Sequence, residues 1–106
     1  MTGAEIDFAA LPWEESPASV GVRFKRVVRA GRRVRLVEFT KLFVEHDWCV
    51  KGHIGYVIEG EIEIAFDDRR ERLTAGDGIF IEGGEAKRHK ARAICPLVRL
   101  LLVEDD

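Results

Sequence analysis

The chain carries three histidines, and two of them, His46 and His53, stand seven residues apart in the stretch HDWCVKGHIG. Neutral imidazole is a good ligand for zinc, copper, iron and nickel, so imidazoles that converge are the start of a metal site. Side chains alternate along a strand, which puts Trp48 on the face of His46 and turns Asp47 and Cys49 the other way. Gly52 permits a sharp turn before His53. With EHDW and HIGYVI as neighbouring antiparallel strands, His46 and His53 face each other across the ladder. Gly55 shares the face of His53 and, lacking a side chain, leaves space beside that imidazole. The third histidine, His89, lies far along the chain in GGEAKRHKARA.

The elements that must position these residues read as β-structure. Residues 1–20 hold two of the three prolines, in LPWEESPASV, and show little periodicity, so they form an irregular arm. From residue 21 to 106 the chain breaks into short β-rich runs separated by turn signals. These are VRFKRVV, the turn AGRR, and VRLVEF continuing toward KLFVEHDW. They are followed by IGYVIEG, EIEIAF, RERL, GIFIE, RHKARAI and VRLLLVE. EIEIAF and VRLVEF alternate with period two, whereas no window shows an apolar stripe of helical period. One all-β domain, a double-sheet jelly roll or small barrel, is the expected architecture.

Two glycine-punctuated strand pairs, GYVIEGEIEI and AGDGIFIEGGE, resemble the cupins, and specifically the small single-domain members of that superfamily. Counting back from Gly60 over the first cupin motif places His53 where the family has a glutamate ligand. The same count puts Trp48 at the second histidine and His46 at the first. In the second motif, counting from Gly76 places Lys87 at the histidine position, with His89 two residues beyond. A loop extension of two residues keeps strand parity and restores a ligand there. The resemblance spans residues 40 to 92 and implies a cupin barrel. It further implies a divalent transition metal, iron, nickel, zinc or copper, held by His46, His53 and His89.

Three neutral ligands leave a divalent ion its full charge, which favours an anionic or enolisable ligand and lowers the pKa of bound water. Trp48 and Gly55 are expected to shape the pocket for a small polar molecule, with Lys87 at its mouth to hold an anionic group. The chemistry such a site suits is of the oxygenase or isomerase kind. The competing expectation is a non-catalytic binding or sensor module, because no paired acid and base stand out and no catalytic residue can be assigned. Glu59, Glu61 and Glu63 read as a charged outer face, and Glu82 is an acid at the second motif's usual proline position.

Other classes are disfavoured. The formal charge of −2 offers nucleic acid nothing, and no apolar run has the length to span a membrane. Ser16 and Ser19 sit in the irregular arm, and no glycine-rich loop opens a helix to cradle phosphate. Two cysteines outside any CxxC pair suggest free thiols in a reducing compartment, hence the cytoplasm. Ile6, Phe8, Leu11 and Trp13 of the arm need a surface to cover, so a homodimer is expected.

Overall fold

The computed structural model describes residues 3–17 and 19–105 of the chain. Among the described residues nine strands are formed: β1 (Glu14–Glu15), β2 (Val22–Arg29), β3 (Arg32–Thr40), β4 (His53–Glu59), β5 (Glu61–Ala65), β6 (Arg70–Thr74), β7 (Gly78–Ile81), β8 (Lys90–Ala93) and β9 (Leu97–Asp105). They build two facing sheets, one of order β1-β2-β3-β9-β4-β7 and one of order β6-β5-β8, with every pairing antiparallel. The all-β jelly roll expected from the sequence is therefore present.

Period-two alternation explains the core. Val98, Leu100 and Leu102 of β9 point inward, with Val37 and Phe39 of β3 beside them and Ile62 and Ile64 of β5 opposite. The tight β2–β3 connection uses Ala30 and Gly31, both at positive φ (50° and 73°), as a two-residue hairpin turn requires. The next inward position of β9 after Leu102 is Glu104, which is only 5% exposed. A carboxylate in that row is the first sign of a site.

The chain between β3 and β4 departs from expectation. A run continuing from VRLVEF through KLFVEHDW would be a single strand, yet β3 ends at Thr40 and a turn at Lys41–Leu42 sends the chain to the other sheet. There it lies against β8 through two isolated bridges, Val44 with Arg92 and Cys49 with His89. Between those bridges this segment advances from 44 to 49 while its partner advances only from 92 to 89. Residues 46–48 are thus looped out of the ladder as a bulge. EHDW and HIGYVI are not ladder neighbours, since β4 pairs with β7 and β9 in the opposite sheet.

The arm also differs from expectation, because it lies along its own β2. The Lys25 ammonium donates to the Phe8 carbonyl at 2.7 Å, and Arg29 donates to the carbonyls of Gly3 and Glu5, each at 3.0 Å. The Trp13 ring packs under both Arg23 and Lys25. Arm residues Ile6, Phe8, Leu11 and Trp13 are each partly covered.

Gly55 lies between β7 and β9, and the volume beside it is filled rather than open. A Cβ there would collide with the Leu101 carbonyl oxygen and come within 2.9 Å of Leu102 Cδ2. The glycine lets two strands pack closely and does not open a pocket. Gly55→Ala should therefore destabilise the protein by about 2 kcal/mol or more, read as a lowered urea midpoint at unchanged slope.

Candidate metal centre

Where the ends of the two sheets face each other, Cys49, His53 and His89 bring their ligand atoms together, all within 4.8 Å of one another. His53 opens β4, His89 precedes β8, and Cys49 is fixed opposite His89 by reciprocal backbone hydrogen bonds of 2.8 and 3.0 Å. Cys49 Sγ stands 3.7 Å from His53 Nε2. The two imidazoles meet edge to face, with ring centroids 5.1 Å apart.

Both imidazoles are held from behind. His89, 3% exposed, directs Nδ1 at the Lys87 carbonyl at 3.1 Å, which leaves Nε2 as the free ring nitrogen. His53 Nδ1 lies 2.6 Å from Glu104 Oε2, although that oxygen sits off the line of the ring N–H and completes no well-directed hydrogen bond. The contact is best described as an ion pair. Arg35 then grips Glu104 with two hydrogen bonds, Nε to Oε1 at 2.7 Å and Nη2 to Oε2 at 3.0 Å. A carboxylate or carbonyl behind each metal-facing imidazole is the usual way to set ring orientation and tautomer.

The electrostatics follow from this chain of contacts. Burial works against a charged Glu104, but His53 and Arg35 outweigh it and pull the carboxyl down to about 2. Burial likewise opposes protonation of His53, while Cys49 and Glu104 overcome it and raise the imidazole to about 9. His53 first, then His89, draw the Cys49 thiol down to about 5. His89 is raised as well, with burial opposing and Cys49 and the Lys87 carbonyl prevailing. Without metal the Cys49 thiol is thus pulled toward thiolate and His53 toward imidazolium, and a metal held here would displace the His53 proton. A thiolate and two imidazoles with an open side fit a four-coordinate transition metal that keeps one position for water or ligand.

Glu45 plugs the bulge. Its carboxylate accepts the Ala91 N–H at 2.9 Å, taking the place of the ladder carbonyl that the looped-out residues cannot offer. Burial, with the nearby Cys49 charge adding to it, raises its pKa.

Of the three expected ligands the structure brings His53 and His89 together and leaves His46 apart. His46 is exposed in the bulge, at the rim of the cavity. The side chains of this segment take the opposite phase from the expected one. Phe43 and Glu45 turn inward, so Cys49 follows them inward and His46 and Trp48 do not. Trp48, 36% exposed, instead packs its ring against Arg88 and Lys90 at 4.6 and 4.7 Å while bordering the cavity. Lys87 contributes its backbone carbonyl to His89, and its side chain borders a separate hollow of about 140 Å³ together with Glu82. The other thiol, Cys95, is tied into the backbone by donation to the Leu97 carbonyl at 3.2 Å.

The cluster opens into a cavity of about 700 Å³ between the sheets. The fold is that of a cupin. The chain matches the Cupin_2 family, "Cupin domain", over residues 43–101, more than half its length, and it belongs to that family. Among solved structures it is similar to KdgF from Halomonas sp. (22% identity, TM-score 0.78, covering 99% of this chain and 96% of that one). It is also similar to an RmlC-like cupin from Shewanella frigidimarina (16%, TM-score 0.75, 98% and 91%). A third such structure is the polyketide cyclase RemF from Streptomyces resistomycificus (19%, TM-score 0.73, 98% and 80%). At these identities the likeness is one of fold. Comparison with curated proteins gives no match.

Glu104→Gln tests the support behind His53. Removing the charge leaves Arg35 largely buried without its partner, at a cost of about 3 kcal/mol. A carboxyl depressed from its ordinary 4.5 to about 2 stabilises the fold fully above about pH 4.5, and that contribution is lost as pH falls toward 2. Metal-free parent protein should therefore lose more stability than the variant between those values in denaturant melts, and equal losses would contradict the assignment.

Proposed function

We propose that this cupin holds one divalent transition metal on Cys49, His53 and His89 and uses it to bind a small organic molecule in the adjoining cavity. The observation that carries the reading is the convergence of three ligand atoms, with both imidazoles fixed from behind by Glu104 and by the Lys87 carbonyl. Thiolate with imidazole suits zinc and copper, and imidazole suits iron and nickel as well. Bound there, such an ion would polarise a ligand oxygen and lower the pKa of bound water. The proposed chemistry is of the metal-assisted oxygenase or isomerase kind.

A non-catalytic binding or sensor role is the second reading. It is favoured by the state of the two covered acids on the cavity wall, since Glu104 is engaged by Arg35 and His53, and Glu45 by the Ala91 amide, while the third acid of the lining, Asp47, is exposed in the bulge. Neither stands as a free acid–base partner across the cavity from the cluster.

The proposal includes a reducing, cytoplasmic setting, supported by two free cysteines. It includes no membrane or nucleic-acid partner. Among the described residues no helix is long and apolar enough to cross a membrane. The homodimer is also retained, on a different surface from the arm. Ile54, Tyr56 and Ile58 of β4 and Phe80 of β7, the last 75% exposed, form an apolar outer row suited to a second copy. Light scattering at twice the chain mass, falling to one with Phe80→Asp, is the expected result, and monomer mass for the parent would remove this part.

Elemental analysis of protein purified without tag or chelator tests the metal. The parent and His46→Ala should each carry about one metal per chain, while Cys49→Ser and His53→Ala should lose it at least about tenfold. Loss in His46→Ala with retention in Cys49→Ser would favour the three-histidine set instead.

A further inference from the structure

The charged residues of the cavity wall gather toward the cluster. Along β3 the inward residues run Arg35, Val37, Phe39, and along β9 they run Glu104, Leu102, Leu100, so charge gives way to hydrocarbon on both strands in the same direction. Beyond the cluster the wall is Phe24, Val37, Phe39, Phe43, Ile62 and Leu100. Phe39 and Phe43 stack there with ring centroids 4.5 Å apart. Toward the opening Val20 and Leu42, 69% and 74% exposed, border the cavity, with Ser16 and Ser19 beside Val20 in the same lining.

A ligand reaching the cluster must lay its body along this wall. A polyhydroxylated body would leave most of its hydroxyls without a partner against these six residues, which disfavours it. An aromatic or branched aliphatic body would bury its apolar surface against this wall. At the polar end the Arg35–Glu104 pair is neutral, and a divalent ion with one thiolate retains a net positive charge, which suits an anionic oxygen head group. We infer that the ligand of this cavity is an amphipathic organic acid, its carboxylate at the Cys49–His53–His89 cluster and its apolar body against Phe24, Phe39 and Phe43. This inference rests on the proposed metal for the head group only; the choice of body follows from the wall alone.

The test is calorimetric titration of the zinc-reconstituted full chain with 3-phenylpropionate and with gluconate, acids that share a carboxylate and differ in body. Phenylpropionate should bind at least tenfold tighter. Leu42→Ser and Val20→Ser, both highly exposed at the mouth, should each weaken phenylpropionate about threefold or more and leave gluconate unchanged. Repeating the titrations on metal-free protein separates the two readings. A surviving preference for phenylpropionate with no effect of zinc on either acid supports the amphipathic ligand and contradicts the metal reading. Equal binding of the two acids, tighter gluconate, binding of neither, or mouth variants without effect would each overturn the inference.

Discussion

The site depends on one buried carboxylate. Glu104 continues the inward row of β9, where every earlier member is hydrocarbon, and a lone charge at that depth would be untenable. Arg35 on the paired strand β3 and His53 on the flanking strand β4 compensate it from two sides. This ion-paired chain crosses three adjacent strands of one sheet and ends on the imidazole that faces the cavity. The energy that makes the arrangement tolerable also makes it directional, because His53 is held with Nε2 toward Cys49.

The opposing wall is placed by a different device. The segment after β3 crosses to the second sheet and is anchored at Val44 and at Cys49, with the excess chain pushed outward between them. Glu45 satisfies the amide that this bulge leaves open, so the segment holds its position at modest cost. Cys49 and His89 are thereby locked opposite each other through backbone hydrogen bonds. One ligand is thus positioned by a side-chain relay and two by backbone pairing.

The strands, turns and jelly-roll class could be read from the chain because period-two alternation and glycine turns are local properties. His53 was legible as a cluster member from its place in the first cupin motif beside a strand of clear phase, and His89 from the second motif only with a two-residue loop extension. The third ligand was not. His46 attracted attention by residue type, but Phe43 and Glu45 set the phase of that segment, and FVEHDWC with Phe43 turned inward would have pointed to Cys49. Nor does any local signal place KLFVEHDW against β8 instead of β4, since a sheet change after Thr40 depends on long-range pairing. Glu104 was visible in principle as the polar member of the VRLLLVE alternation, and Arg35 as the inward basic residue of VRLVEF. Their partnership depends on the β3–β9 register, which the sequence of either strand alone does not determine.

The central claim is that sulfur from Cys49 completes the metal site in place of His46. X-ray absorption at the metal edge of the loaded protein tests it most directly. The account predicts one sulfur neighbour at about 2.3 Å with imidazole nitrogens at about 2.0 Å, the sulfur vanishing in Cys49→Ser. A shell of nitrogen and oxygen alone in the parent protein would contradict it.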